Sequence, residues 1–433
     1  MWFNNRGFQV GPALITALLL VCYAAPWSEA TAAESFQLAG SGQCEHCHQQ
    51  LGDARLSSPA QTMPRDIHGR EGLGCADCHG GDAEAPSMER AHSEAMGFVG
   101  RPDPLHIPEL CARCHSHPDI MTRFNPALPV DQWEKYKTSR HGMLLEMGLR
   151  KVATCASCHS AHNILPATDP QSSVYPVALP RTCNRCHGDQ QYMAGFPIPT
   201  DQFAKYASSV HGTALLDKED LGAPACNDCH GNHGAIPPGA QSLGHVCGIC
   251  HALNAELFEK SPHAAVFAIQ ELPQCTVCHS HHAIARPSHD TFNMGADSVC
   301  ITCHRPDDAG WRQGKKMGEL AAGLETLDAT ARERLEQARQ LGMDVTDGQF
   351  LLKDIRKIRM QLRTASHSLD MGEYEKLAAD ARSKLEEVIH EADSAIQEYH
   401  FRRRGLLVSV LLCLPVLLFL YLKIRMLDRG NLS

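Results

Sequence analysis

The chain has 433 residues and a formal net charge of −9, with 20 cysteines, 26 histidines, 33 glycines and 25 prolines. An acidic balance without a basic stripe gives a nucleic-acid partner no support, so no nucleic acid is expected. The length suggests two or three domains, and cysteine at this density calls for a metal, a cofactor or disulfides.

Residues 1–33 read as a secretory signal peptide. Arg6 supplies the positive end, Ala13 to Ala25 the apolar stretch, and Ala30-Thr31-Ala32 a small-residue cleavage site. The competing reading is an uncleaved N-terminal anchor. Cys22 follows Val21, which is too large for the usual lipoprotein signal, so no lipid is assigned to it.

From Cys44 to His304 the pattern C-x-x-C-H occurs nine times. Its cysteine pairs are Cys44 and Cys47, Cys75 and Cys78, Cys111 and Cys114, Cys155 and Cys158, Cys183 and Cys186, Cys226 and Cys229, Cys247 and Cys250, Cys275 and Cys278, and Cys300 and Cys303. The histidines that follow are His48, His79, His115, His159, His187, His230, His251, His279 and His304. This is the pattern of covalent c-type haem attachment: two thiols add to the porphyrin vinyl groups, and the next residue is the proximal iron ligand. A zinc ribbon needs two cysteine pairs per metal but no histidine after each pair. Nine motifs therefore predict nine haems. The region spans 261 residues, or 29 per motif, too few to bury a core of its own. The haems are expected to be the core, wrapped by short helices and long loops with almost no sheet.

Internal repetition organises the motifs. Asp131-Gln-Trp-Glu-Lys-Tyr136-Lys-Thr-Ser-Arg-His141-Gly matches Asp201-Gln-Phe-Ala-Lys-Tyr206-Ala-Ser-Ser-Val-His211-Gly. Each leads to a motif extended to C-x-x-C-H-x-x-H, adding His162 or His233, and then to a second motif. A shorter copy holds His263 and His282. A degenerate one holds His68, with Asp82 where the extra histidine belongs. The layout is one haem followed by four two-haem units. The repeat positions make His68, His141, His211 and His263, and also His162, His233 and His282, the leading distal candidates. His92, His106, His117 and His245 are further candidates. His281 and His289 are read as bystanders, and His46 as solvent-facing.

These motifs resemble the multihaem c-type cytochromes with doubled C-x-x-C-H motifs, the superfamily that includes the class III low-potential cytochromes. The resemblance covers residues 40–305. It implies closely packed bis-histidine haems acting as an electron wire, with haem attachment outside the cytoplasm. It names neither donor nor acceptor.

After His304 the pattern changes. Apolar residues recur in steps of three and four from Met317 to Leu341, from Leu351 to Leu369 and from Tyr374 to Tyr399, with breaks at Gly342–Gly348 and near Met371-Gly372. This predicts an antiparallel coiled-coil hairpin or a three-helix bundle, serving as a stalk or a surface for homo-oligomers. His367, His390 and His400 are read as solvent-facing. Gly405 to Leu422 carries no charge and is long enough to span a bilayer, with Arg402–Arg404 before it and Lys423 and Arg425 after it. Cys413, inside that stretch, belongs to no motif.

The expected fold is therefore mostly α with extensive irregular loops. A haem-packed cytochrome domain (34–310) precedes a helical hairpin or bundle (311–402), one transmembrane helix (405–422) and a cytoplasmic tail (423–433). The expected function is electron transfer rather than catalysis. A periplasm-facing haem domain, tethered to the inner membrane, exchanges electrons with a membrane-bound quinol-linked subunit and with periplasmic redox proteins. The alternative is a multihaem reductase of nitrogen or sulfur oxyanions with one open-site haem. No C-x-x-C-K motif, the lysine-ligated variant of pentahaem nitrite reductases, is present.

Overall fold

The computed structural model describes residues 38–239, 242–292, 294–295 and 298–430. The expected signal segment lies outside them. Among the described residues there are helices and loops and no strand. The chain forms two compact units. The first comprises the described residues up to His106, Leu110–Val130 and His162–Ile164; the second comprises Ile107–Glu109, Asp131–Ala161 and Leu165 onward.

The first unit holds three motifs, at the helices Gly42–Gln49, Cys75–His79 and Ile107–His115. A five-residue helix cannot support itself, since nucleation costs more than so few hydrogen bonds return. Side chains hold Cys75–His79 instead. Asp77, inside the motif, accepts the backbone N–H of Gly74 at 2.6 Å and of Ala39 at 2.6 Å. Arg113, inside the next motif, donates to the carbonyl of Cys78 at 2.9 Å. Segment 162–164 is stitched in by three bonds. Thr62 donates to the His162 carbonyl, the Asp66 carboxylate accepts the Ile164 N–H, and the Ile67 N–H meets the Ile164 carbonyl.

The second unit holds the six later motifs and repeats these devices. Ser157 accepts the Thr154 N–H, Asp228 accepts the Ala225 N–H, and Arg185 donates to the Ser157 carbonyl at 2.9 Å. The residue after the first motif of each two-motif pair (Gly80, Ser160, Gly231, Ser280) has φ between +63° and +84°, which turns the chain away from the helix end. Buried apolar side chains in the motif regions are scattered, for instance Leu145, Leu165 and Leu215.

Three long helices follow in the second unit: Ala309–Gln340, Thr346–Ala365 and Met371–Gly430. Asp308 caps the first, and Gly342, at φ +76°, ends it. Their shared core includes Met317, Ala331, Ile355, Leu385 and Val388, all fully buried. This is the three-helix arrangement, with the break at residues 366–370 just before the expected Met371-Gly372. Leu352 and Ala378 are buried where the periodicity pointed to Leu351 and Leu377, each of which sits half-buried one position away. Asp328 bridges two helices within this core, meeting Arg332 at 3.0 Å and Arg359 at 2.7 Å. The third helix continues unbroken through Arg402–Arg404 into the uncharged stretch. At 60 residues it is about 90 Å long. Its C-terminal part has a mean hydropathy of 2.7 with none of that window buried, and is long and apolar enough to cross a membrane.

Candidate haem-binding centres

Each of the nine motif histidines faces a second histidine ring. In the first unit the pairs are His48 with His92, His68 with His115, and His79 with His162, at ring-centroid separations of 6.0, 5.9 and 6.0 Å. In the second unit His141 faces His187, His159 faces His233 and His211 faces His251, at 6.0, 6.0 and 6.2 Å. There too His230 faces His282, His263 faces His304 and His279 faces His367, at 5.9, 5.9 and 6.0 Å. Two metal–imidazole bonds of about 2 Å on opposite sides of one ion put the ring centres about 6 Å apart. The observed separations fit two imidazoles placed to hold one metal ion between them.

The pairing is interleaved. The histidine of each His-Gly or Pro-His segment (His68, His141, His211, His263) faces the second motif of its own two-motif unit. The extra histidine of each C-x-x-C-H-x-x-H (His162, His233, His282) faces the first motif of the unit before it. Backbone bonds follow the same register: the N–H of Ile67, Arg140 and Val210 donates to the carbonyl of Ile164, Ala235 and Ile284. Thus the segment that brings in an upstream histidine is fastened two residues beyond it.

Nitrogen chemistry fits the same reading. Nδ1 of His48 bonds the Leu56 carbonyl at 3.1 Å, Nδ1 of His79 bonds Val99 at 2.9 Å, and Nδ1 of His92 bonds Met88 at 2.9 Å. A carbonyl only accepts, so Nδ1 carries the proton and Nε2 is left with its lone pair, as a metal ligand requires. The Nδ1 of His68 lies 2.9 Å from the Asp66 carboxylate. Burial of Asp66 opposes ionisation, but hydrogen bonds from His68 and the Ile164 N–H prevail and hold its pKa low. Burial first, and then the facing imidazole, lowers the pKa of His141, His211 and His263. Such rings stay neutral and ready to ligate.

The described cysteines are all free of disulfides, and the described residues contain no cluster of three or more side chains able to hold a bare metal ion. Burial, reinforced by the neighbouring thiol of Cys111 or Cys183, pushes Cys78 and Cys158 up to about 11. Burial and then Cys300 do the same to Cys278. These are not the electropositive sites that make a reactive thiolate. Consecutive motifs lie near enough for their thiols to influence one another: Cys44 and Cys75, and Cys78 and Cys111, in the first unit, and Cys158 and Cys183, Cys229 and Cys247, and Cys278 and Cys300 in the second.

Of the candidate distal histidines, eight stand opposite a motif histidine. His106, His117 and His245 depart from expectation and have no such ring across from them among the described residues. His106 and His117 sit at the N-caps of the helices Ile107–His115 and Pro118–Phe124. His245 lies two residues before Cys247 on one helix, so it projects about 200° around from that cysteine. His367, expected to face solvent, instead faces His279. No local feature of the sequence exposes it; the cross-unit pairing of the rings does. The extra histidines serve the unit upstream, so the last unit has no donor within the repeats. The same logic explains Asp82. The lone first centre takes His92, and Asp82 accepts from Arg90 at 2.7 Å, holding the helix Met88–Ala91 that precedes His92.

Nine cysteine pairs, each with two facing imidazoles, have the make-up of multihaem c-type centres, and the residues present fit covalently bound haem c. The family model that matches is cytochrome c3, over residues 67–188, which supports a multihaem electron-transfer role. Comparison with curated proteins and with solved structures found no match.

Proposed function

We propose that the chain is a nonahaem c-type cytochrome, anchored in the inner membrane with its haem region in the periplasm. It carries electrons between a membrane-bound quinol-linked partner and periplasmic acceptors. The observation that carries this reading is the facing imidazole at all nine motif histidines. Haem c, when bound, supplies reversible one-electron iron chemistry. The chain's own contribution is attachment, ligation and spacing. The eighteen motif cysteines fix each group, and paired histidines leave no axial position open to a substrate. Imidazole in place of a methionine thioether favours low potentials. The nearness of consecutive motifs supports relay between neighbouring centres. The uncharged helix Gly405 to Leu422 supports a membrane anchor, and haem attachment outside the cytoplasm supports a periplasmic N-terminal side.

An oxyanion reductase needs one motif histidine without a facing ring, and among the described residues none lacks one. Electron paramagnetic resonance of the oxidised protein in detergent tests the choice, after a pyridine haemochrome count of haem per chain. Low-spin signals from every haem are expected. One stoichiometric high-spin ferric signal would transfer the chain to the reductase reading, to be followed with nitrite, hydroxylamine and tetrathionate.

A further inference from the structure

The interleaved register ends at the centre on Cys275, Cys278 and His279, because no further repeat follows to provide its second histidine. His367 stands there instead, with ring centroids 6.0 Å apart and ring planes 27° from parallel. Its Nδ1 bonds the Thr364 carbonyl at 3.1 Å, which leaves Nε2 as the free donor atom. The supporting turn, residues 366–370, is held from both sides. The Gln313 side chain of the first long helix donates to the Leu369 carbonyl, and Asp370 caps the third long helix through the Gly372 N–H at 2.8 Å. The second long helix also packs on the short helix Ala252–Glu259.

We infer that His367 is the second axial ligand of the haem on Cys275 and Cys278, so that the helical bundle, rather than a cytochrome repeat, closes the haem array. The inference rests on the bis-histidine electron-carrier reading and goes beyond it. One centre depends for its ligation on the turn that starts the membrane-directed helix, four residues before Met371. The ligand also clamps the bundle to the cytochrome: a bond between His367 and that centre joins the bundle to a group covalently fixed through Cys275 and Cys278.

The test uses the full, haem-loaded chain in detergent and three variants: His367→Ala, His367→Met, and His211→Ala as the control within a repeat. We expect each alanine variant to gain one high-spin ferric haem per chain, to bind one carbon monoxide when reduced, and to return to low spin with added imidazole. His367→Met should stay low-spin and raise the potential of a single haem, since thioether ligation raises potential. If His367→Ala does not accumulate fully loaded, the His367→Met potentials decide alone. An all-low-spin His367→Ala, or a His367→Met with unshifted potentials, overturns the inference while an opened haem in His211→Ala leaves the carrier reading intact. A closed His211→Ala overturns that reading as well.

Discussion

At the scale of the residue, function rests on which nitrogen of each histidine is free. The carbonyls of Leu56, Val99 and Met88 each take a ring Nδ1–H, and this settles the tautomer before any iron arrives. Elsewhere titration acts on stability. Burial raises the carboxyl of Glu391 above its ordinary 4.5, and Asp347 and Glu387 add like-charge repulsion against which His390 is a smaller opposing influence. A carboxyl raised in the folded state stabilises it below the unfolded pKa, and this contribution is lost as pH rises through the folded value. Glu391→Gln should therefore raise the melting temperature of the bundle at pH near 7 and make no difference well below 4.5. Far-ultraviolet circular dichroism melts at the two pH values check this; an equal gain at both would point to packing, not charge.

At the scale of the element, the repeated Tyr-x-x-Ser-x-His-Gly segment is a device for aiming one histidine. Tyr206 donates to the Pro224 carbonyl at 2.8 Å, next to the following motif. Ser209 donates to the Tyr206 carbonyl and accepts the Gly212 N–H, making a sharp corner between two short helices. The corner is closed so tightly that a Cβ on Gly212 would fall 1.9 Å from the Tyr206 carbonyl oxygen; Gly142 meets Tyr136 in the same way at 2.0 Å. Both contacts are with backbone, which has nowhere to move. Gly212→Ala should cost about 1–3 kcal/mol and, by displacing His211, release the ligation of the haem on Cys247 and Cys250 as one high-spin signal. Gly52→Ala, whose Cβ would meet nothing within 4 Å, should leave the spectrum unchanged. Substitution spectra compared side by side distinguish a loss of aim from general damage. The C-x-x-C-H pattern marked the cysteine pairs and the histidines beside them. It did not tell that the extra histidines cross to the neighbouring unit, because a period in sequence carries no information about which copy a side chain meets.

At the scale of the whole molecule, the chain divides its labour by composition. The motif regions have dispersed apolar burial, whereas the bundle has a continuous core of its own, with Ile355, Leu385 and Val388 fully buried. The third long helix joins that core to the apolar span without a break. We expect a chain ending at Arg404 to leave the membrane fraction on gentle lysis and to keep its full haem content, while the full chain requires detergent. Retention of the shortened chain on membranes after a high-salt wash would mean that something other than Gly405 to Leu422 tethers it.

The sequence by itself determined the chemistry that depends on adjacent residues. Two thiols and an imidazole within five positions specify covalent haem and its first ligand, and a three-to-four residue apolar stripe specifies a packed helix. An uncharged run of eighteen residues is long enough to cross a bilayer as a helix. The tertiary structure decided what depends on distant residues meeting. It separated His92 from His106, His117 and His245, which differ from it by no local feature. It brought His367 from the helical region to His279, 88 positions away. An amphipathic pattern marks His367 as off the buried stripe, and within the bundle it is; the packing of the cytochrome against that turn gives the ring its partner. A ligand pair is a contact, and contacts between distant positions are set by the folded packing of whole elements.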